Sequence, residues 1–345
     1  MRKLSLKFWR NAVHRLFNNP AAAPEGWYWL MRSSDIRRGR VRAARILGYD
    51  LAVFRGASGR VTALDAHCPH MGAHLAEGRV EGDELRCLFH RWRFDAAGHC
   101  TDMPALGGDP PIPVCTRSWP VEEKYGLVWI WNGDVPLTPV PFVPELGTEE
   151  CAAMLANRFR KNCHPHVVLI NAIDEHHFNS VHNLPVKLRM ETREVSRHRI
   201  EFSNVTRVEP ASLFTSFVAR FYKRALTYSM CYWNAATGTV TLGPDFLHFY
   251  IMFALRPDEN GGTEGQTVLI TRKRGAVLNA VLLLLTRIVG AYFAKGDTLI
   301  FRSIRFQLNT PTEADHAIID FIDHTERQRE GTLSGRTAEL IGARR

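Results

Sequence analysis

Two cysteine–histidine pairs in the first third of the chain are the first residues with recognisable chemistry. One residue separates Cys68 from His70, and two residues separate Cys87 from His90. Sixteen residues lie between His70 and Cys87. Two loops that each supply a thiolate and an imidazole can hold a [2Fe–2S] cluster, with both thiolates on one iron and both imidazoles on the other. We therefore predict a cluster site here, with Gly72 in a loop conformation that other residues resist.

A zinc ion is the alternative occupant of these four side chains. Zinc sites with two cysteines and two histidines usually pair cysteine with cysteine and histidine with histidine. The order here is Cys-x-His followed by Cys-x2-His. The mixed pairs favour the cluster over zinc.

A second group lies at residues 171–182, where Asp174, His177 and His182 form the pattern Asp-x2-His-x4-His. A mononuclear Fe(II) that activates O2 typically binds two histidines and one carboxylate on one face. Histidines five positions apart do not share a face of a regular α-helix. We therefore predict a π-bulge or a helix end between His177 and His182. His176, six positions before His182, is expected to lie next to the ligands without binding the metal itself. A polar helix with buried histidines is the structural alternative.

Together the two groups resemble the Rieske non-haem iron oxygenases. Residues 65–75 and 87–92 are similar to the family's cluster-binding loops, and residues 171–182 are similar to its iron-binding motif. The chain resembles in particular the steroid and sterol branch, the 3-ketosteroid 9α-hydroxylase oxygenase components and the Neverland-type cholesterol 7-desaturases. It departs from the family at Leu88, where proline is usual, and at Arg91, where glycine is usual.

The resemblance implies a role for each residue of the second group. His177 and His182 would bind a mononuclear Fe2+. Asp174 would be the carboxylate that hydrogen-bonds a cluster histidine of a neighbouring subunit, for which we choose His90.

The third iron ligand would follow the sheet, at the start of a helical stretch. Asp297 stands where the steroid hydroxylases have a Gln-Asp-x2-Ile-Trp pattern, and Asp320 and Asp323 are its rivals. Asp320 and His324 are four positions apart, but an exposed helical face is the simpler interpretation of that pair. The nearby segment His164-Pro165-His166 is predicted to be a solvated loop.

The secondary-structure elements that must position these residues fall into two parts of the chain. Taken together, the two parts predict an α+β fold. Residues 26–134 have the short β-rich runs and regular glycines of an all-β domain, with strands at 44–49, 51–55, 61–64 and 127–131. Residues 135–345 mix strands at 200–208, 239–242, 247–255 and 267–272 with helices at 167–183, 276–293 and 314–330. We predict an antiparallel sheet flanked by helices there. The resemblance implies that these parts are a Rieske domain and a helix-grip (START-like) catalytic domain.

Residues 1–25 form a basic extension, in which Leu6, Trp9, Val13, Leu16 and Phe17 follow helical spacing. Such a helix either packs on its own protein or lies on a membrane surface, so residues 1–17 are a candidate for peripheral membrane contact. We find no signal peptide, and the longest apolar run, residues 276–285, is too short to span a bilayer. We expect a cytoplasmic protein, peripheral at the membrane if that helix binds lipid.

The net charge narrows the class of partner, and the cysteine content narrows the redox compartment. The net charge of +9 suits an acidic protein partner, and no nucleic-acid-binding motif is present. Arg86, Arg91 and Arg93 could dock an acidic ferredoxin, although a solvated basic edge is an equal alternative.

Seven cysteines are too few for a disulfide scaffold and suit a reducing compartment. Five of them are expected to be small buried apolar residues: Cys100, Cys115, Cys151, Cys163 and Cys231.

These features predict an oxygenase component that holds a [2Fe–2S] cluster and Fe2+. No dinucleotide-binding fingerprint is present, so electrons would come from a ferredoxin or flavin reductase. O2 and a bulky apolar molecule, a sterol or steroid by resemblance, would be the substrates, and the family implies a head-to-tail homotrimer. Aromatic candidates for the pocket are Phe214, Phe217, Phe221, Tyr228, Trp233, Phe246, Phe249 and Phe253. The alternatives are a pure electron carrier and a lipid-binding protein with a vestigial iron site.

Overall fold

The computed structural model describes residues 14–108, 110, 112–182, 188–204, 227–243 and 247–332. It divides into two compact units, which we name the small unit and the large unit. The small unit is Glu25–Val140 with the start of the segment from Gly331, and the large unit is Pro141–Glu330 with the segment that ends at Pro24. The domain bounds inferred from the sequence stay a prediction.

The small unit is built from short antiparallel strands. Its described strands are β1 Trp27–Arg32, β2 Arg40–Ile46, β3 Tyr49–Arg55, β4 Val61–Asp65, β5 Arg79–Glu81, β6 Glu84–Arg86, β7 Arg93–Phe94, β8 Cys100–Asp102, β9 Ser118–Trp119, β10 Val121–Lys124 and β11 Leu127–Trp131. They form three sheets in the orders β1-β11-β10, β2-β3-β4-β9 and β5-β6-β7-β8. The predicted all-β texture is confirmed.

Two apolar cores hold the small unit together. Aromatic residues on β1 and β11 pack against each other, as where Trp27 and Trp131 meet edge to face at 5.6 Å. A second core around Leu75, Leu85 and Phe94 lies beneath the two cysteine–histidine loops. The strands richest in β-branched and aromatic residues are buried along consecutive positions, as in β3 and β11, while the cysteine–histidine loops reach the surface.

The large unit contains one antiparallel sheet and four described α-helices. Its strands are β12 Cys151–Lys161, β13 Met190–Ser196, β14 Arg199–Asn204, β15 Thr227–Trp233, β16 Thr237–Gly243, β17 Phe249–Pro257 and β18 Thr263–Arg272. Within the described ranges their order is β12-β18-β17-β16-β15-β14-β13. The helices are α1 Pro165–Ile173, α2 Glu175–His182, α3 Ala276–Ile300 and α4 His316–Glu326. The predicted fold class, an antiparallel sheet flanked by helices, is confirmed.

The helices cover the sheet through two apolar contacts. Leu283 of α3 packs on Ile251 and Leu269 of the sheet, and α1 and α4 share a core around Phe321. The opposite side of α3 is apolar as well as exposed: Val277, Leu278, Val281, Leu284, Leu285, Ile288, Tyr292 and Leu299. None of the helices in the described part of the chain is long and apolar enough to cross a bilayer.

The predicted N-terminal helix lies mostly outside the described residues, since the description begins at His14. Residues 14–17 form a bend and turn rather than a helix. Leu16 and Phe17 are buried in the large unit, where Phe17 stacks on His166 at 5.4 Å. The described end of the segment therefore packs on its own protein.

Candidate functional site

The first cysteine–histidine loop follows β4 and turns back on itself. The Cys68 amide donates to the Ala73 carbonyl, and the Gly72 amide donates to the Cys68 carbonyl, both at 2.9 Å. Gly72 has a φ of +75°, in the left-handed region that glycine adopts at little cost. This is the conformation expected from the sequence, and it closes the loop tightly around the Cys68 side chain.

The second loop connects β6 to β7 and is closed in the same manner. The Cys87 amide donates to the Trp92 carbonyl at 2.9 Å. Arg91 has a φ of +65°, which is unfavourable for any residue with a Cβ atom. The structure thus gives a physical reason for glycine at this position: Arg91 adopts a conformation in which glycine is unstrained.

The four side chains of these loops meet as two pairs. The Cys68 and Cys87 thiols are buried neighbours, and burial raises the pKa of Cys68 to about 11, while a hydrogen bond from the His70 amide acts in the opposite direction. The rings of His70 and His90 lie 4.5 Å apart, and His70 stacks on Trp92 at 4.3 Å.

This pairing fits a [2Fe–2S] cluster better than a single metal ion. A thiol pair and an imidazole pair are what a cluster needs when each iron takes one pair. A zinc site would bring all four side chains to one ion.

The surface around the histidine pair is apolar. His70 is exposed, and its neighbours Met71, Leu88 and Phe89 have 65%, 65% and 59% of their surface exposed. Sequence reasoning missed this patch, although three apolar residues in tight loops beside ligand positions were a usable signal.

The arginines beside the second loop are mostly neutralised. Arg86 pairs with Glu81 at 2.8 Å and Arg93 with Asp102 at 3.0 Å. Arg91 makes no ion pair with any described residue. The basic edge inferred from the sequence is therefore reduced to one unpaired charge beside an apolar patch.

The second group of predicted ligands lies on two short helices rather than on one. The predicted helix over residues 167–183 is wrong in one respect, because α1 ends at Ile173 and α2 begins at Glu175. Asp174 stands between them in an extended conformation, with ψ 109°. Its Oδ1 accepts the amides of His176 at 2.9 Å and His177 at 3.2 Å, so Asp174 caps α2.

The expected π-bulge or helix end between His177 and His182 is absent from the described backbone. α2 runs as a regular α-helix from Glu175 to His182, and the interruption falls three residues before His177 instead. The side chain of His182 lies outside the described residues. The part of His182 in the ligand set stays a prediction. His176 is exposed on α2, and its expected place next to the ligands stays a prediction as well.

The structure brings His177 and Asp297 together. His177 is buried, and its Nε2 lies 2.9 Å from Asp297 Oδ1 and 3.2 Å from Asn171 Nδ2. Asp297 lies in the last turn of α3, since that helix extends to Ile300, so the expectation of a residue at a helix start is wrong. An imidazole nitrogen and a carboxylate oxygen 2.9 Å apart can both bind one cation, so this pair fits a metal such as iron.

The His177–Asp297 pair lies in the wall of an apolar cavity of about 240 Å³. Tyr228 and Phe253, two of the predicted aromatic residues, line it, whereas Trp233 and Phe249 do not. Phe214, Phe217, Phe221 and Phe246 lie outside the described residues. Tyr228 and Tyr232 donate their hydroxyls to main-chain carbonyls at 2.9 and 2.6 Å, so both present mainly their rings to the cavity.

Asn171 and Lys161 are polar residues of this cavity to which sequence reasoning gave no role. Asn171 belongs to the quoted motif, and its spacing of six from His177 was a usable signal. Lys161 ends a strand that the sequence did not predict, so nothing pointed to it.

The segment His164-Pro165-His166 is not the solvated loop expected from the sequence. Both histidines are buried, and His164 caps α1 by accepting the His166 amide at 3.3 Å. His166 Nδ1 accepts the Asn18 amide at 2.9 Å. Burial lowers the pKa of His164 to about 3 and that of His166 well below its usual value, so both are neutral structural residues near pH 7.

The remaining expectations are partly met. Asp320 and Asp323, the rivals of Asp297, lie on α4 and do not line the cavity. His324 is 1% exposed, so the expected exposed face is wrong at that position. Of the five other cysteines, Cys100, Cys163 and Cys231 are buried, Cys151 is half-buried and Cys115 is exposed.

Comparison with known families identifies the domain that carries the two cysteine–histidine loops. Residues 26–120 match the family described as the Rieske [2Fe-2S] domain. The chain therefore contains a Rieske domain, and the four residues of its two loops are the candidates for holding the cluster.

Known relatives confirm the resemblance to Rieske oxygenases. The chain is 37% identical over 169 residues to cholesterol 7-desaturase nvd of Bombyx mori, covering 48% of this chain and 36% of that protein. It is 34% identical over 165 residues to a 3-ketosteroid-9-alpha-monooxygenase oxygenase component of Rhodococcus rhodochrous, covering 46% of this chain and 42% of that protein. The matches thus span well under half the length of these relatives.

Solved structures share the fold over most of the chain. Dicamba monooxygenase bound to 3,6-dichlorosalicylic acid superposes with a TM-score of 0.62 at 19% identity, covering 88% of this chain and 97% of that one. NdmB of Pseudomonas putida CBB5 superposes with a TM-score of 0.64 at 17% identity, covering 87% and 89%. The similarity of fold therefore extends beyond residues 26–120 and includes the large unit.

Proposed function

We propose that this chain is the oxygenase component of a Rieske non-haem iron oxygenase. The observation that carries the proposal is the 2.9 Å approach of His177 Nε2 to Asp297 Oδ1 in the wall of an apolar cavity, in a chain that also contains a Rieske domain. The cluster ligands would be Cys68, His70, Cys87 and His90, and the ligands of Fe2+ would be His177, His182 and Asp297.

The protein's own residues would bind and orient the substrate and exclude water from the site. When bound, the cluster supplies single electrons and the iron supplies an open coordination position for O2. Asn171 Nδ2 lies 3.2 Å from the same His177 Nε2, so Asn171 borders the position that the iron would take. The apolar cavity wall, including Phe253, holds a carbon-rich substrate beside the pair and keeps water out.

Asp174 would serve two purposes in this function. Its Oδ1 holds the first amides of α2 and thereby the position of His177. Its other oxygen would accept a hydrogen bond from His90 of a neighbouring subunit in a head-to-tail homotrimer. The family resemblance supports this second role.

The electron donor would be a ferredoxin or a flavin reductase that docks beside the histidine pair. The exposed apolar side chains of Met71, Leu88 and Phe89 support a protein contact there, because a patch of large apolar residues is unusual on a free surface. The charge of Arg91 at its edge would favour an acidic partner.

A sterol, a steroid or another bulky apolar molecule is the proposed substrate class. The names of the relatives, a cholesterol desaturase and a ketosteroid monooxygenase, support it. Hydroxylation, demethylation and desaturation are all compatible with the site.

We also propose a cytoplasmic location. Membrane contact by residues 1–17 would have to come from residues 1–13, because Leu16 and Phe17 are buried.

The test is O2 consumption by the purified protein with a surrogate reductase and a panel of sterols, steroids and smaller apolar compounds, followed by mass spectrometry of the products. We expect substrate-dependent O2 uptake that His177→Ala abolishes while the visible spectrum of the cluster is retained. Cluster reduction without any substrate-dependent uptake in the wild type would favour an electron carrier instead. Substrate binding without oxidation would favour a lipid-binding protein.

A further inference from the structure

Lys161 places a positive charge in the wall of the cavity. It is the last residue of β12, and its Nζ donates to Thr298 Oγ1 at 3.0 Å. The rings of Phe159 and Phe301 lie 5.8 and 5.4 Å from Nζ. The ammonium group thus lies near two aromatic rings and beside Thr298, the residue that follows Asp297 in sequence.

The other cations at this end of β12 have a carboxylate partner, and Lys161 does not. Arg158 and Arg160 both pair with Glu264. No carboxylate of the described residues lies within ion-pair distance of Lys161 Nζ, and one neutral hydroxyl occupies one of its three donor positions.

Lys161 is half-buried, and even partial burial of an ammonium group without a close counterion carries a desolvation cost. Burial lowers the pKa of Lys161, and the more distant Asp297 acts in the opposite direction. The two aromatic rings offset part of this cost, but they do not replace a carboxylate partner.

We propose that Lys161 binds an anionic group of the substrate, so that this cavity takes apolar acids. The carbon skeleton would contact the apolar wall around Val240, Ile251 and Phe253, while the acid group pairs with Nζ. Because Lys161 and the His177–Asp297 pair share one cavity, the charge anchor fixes which carbon lies beside His177. This inference rests on the proposed function only in taking the cavity as the substrate site.

The test compares two probes that differ in charge but share a ring system, 2-naphthoate and 2-naphthamide. Their binding to the anaerobic holoprotein at pH 7 is measured by equilibrium dialysis. We expect the wild type to bind 2-naphthoate about tenfold or more tightly than 2-naphthamide, the size of one charge-assisted hydrogen bond. Lys161→Met should abolish this preference without weakening 2-naphthamide, and Lys161→Arg should retain it.

Two control variants separate the possible causes. Lys273→Met removes an exposed lysine that pairs with Glu150 outside the cavity, and should leave the preference unchanged. His177→Ala removes the proposed iron ligand and should also retain the preference. A preference that survives Lys161→Met but is lost in His177→Ala would mean that the acid binds the metal, and would overturn the inference.

Equal binding of the two probes by the wild type, or binding of neither, would overturn it as well. The outcome is independent of O2 chemistry. A preparation that shows the Lys161-dependent preference but no substrate-dependent O2 uptake would contradict the proposed function and leave this inference standing.

Discussion

At the scale of single residues, burial acts in opposite directions on the pKa values of the thiols and the imidazoles. It raises the pKa of Cys68 to about 11 and lowers the pKa of His164 to about 3, because desolvation penalises the thiolate and the imidazolium alike. Cys68 therefore keeps its proton until a metal displaces it. His164 stays neutral, which suits a residue that caps α1.

The burial of His164 makes the large unit sensitive to acid. The unfolded chain takes up a proton near pH 6.5 and the folded chain only near pH 3, so the free energy of unfolding falls as the pH drops through this window. His164→Asn keeps a capping oxygen and removes the titration. We expect the loss of stability between pH 6.5 and 5 to be smaller by about 2 kcal/mol in this variant, measured by urea unfolding.

His176→Asn is the matched control for this experiment. His176 is exposed on α2 in the same unit, and its replacement should leave the pH dependence as in the wild type. An equal acid sensitivity in the wild type and His164→Asn would show that His164 is not protonated on unfolding.

Arg91 provides a second prediction at this scale. Its φ of +65° costs about 1–2 kcal/mol in a residue with a Cβ atom, and its side chain is exposed. Arg91→Gly removes this strain but adds unfolded-chain entropy, so we expect a net stabilisation of up to about 1 kcal/mol. The measurement is the temperature at which the cluster's visible absorption is lost.

Arg91→Ala removes the same side chain but keeps the strain. It should melt at the same temperature as the wild type. Equal melting of Arg91→Gly and Arg91→Ala would mean that backbone strain at this position is not significant.

At the scale of elements, the short gap between α1 and α2 determines where His177 points. Asp174 ends one helix and caps the next, so the carboxylate contributes to stability and, in the proposed function, to electron transfer. Asparagine caps helices about as well as aspartate, whereas alanine does not. The two substitutions therefore separate the two roles.

We expect Asp174→Ala to destabilise the large unit by about 1 kcal/mol and Asp174→Asn to leave its stability unchanged. Both should slow the reoxidation of the reduced cluster in the presence of substrate and O2, because neither retains the charge. Stability follows from urea unfolding and electron transfer from stopped-flow absorption. Reoxidation at the wild-type rate in Asp174→Asn would restrict Asp174 to a capping role.

The two sides of α3 provide a matched pair of neighbouring leucines. Leu283 is 7% exposed and packs on the sheet, whereas Leu284 is 55% exposed. Leu283→Ala should cost about 2–4 kcal/mol of unfolding free energy through the cavity it leaves. Leu284→Ala should change it by less than about 0.5 kcal/mol, as is usual for surface positions.

Urea unfolding of the two variants checks this difference. Similar losses in both would mean that the outer side of α3 is covered in solution.

At the scale of the whole molecule, the sequence predicted the fold class and the strands with continuous apolar character. Residues 51–55, 61–64 and 127–131 correspond to β3, β4 and β11 within two residues. Charged strands were missed, because β12 and β13 carry several arginines and glutamates that pair across the sheet or face solvent. Their apolar periodicity is too weak to indicate a strand.

For the two sites as well, the sequence predicted what depends on neighbouring residues and missed what depends on tertiary packing. The cluster loops follow from local spacing, so the turn at Gly72 could be predicted from a few residues. The ends of α1 and α3 depend on tertiary packing. The position of Asp297 in the last turn of α3 could therefore not be predicted from the local sequence. The burial of His164 and the charge of Lys161 in the cavity are properties of the packed unit that no local pattern contains.

The iron content of the purified protein tests the central claim most directly. After anaerobic reconstitution we predict about three iron atoms per chain in the wild type, two in the cluster and one outside it. In His177→Ala we predict about two, with the visible and electron paramagnetic resonance spectra of the cluster unchanged. Two iron atoms in the wild type, or three in His177→Ala, would contradict an iron site at His177.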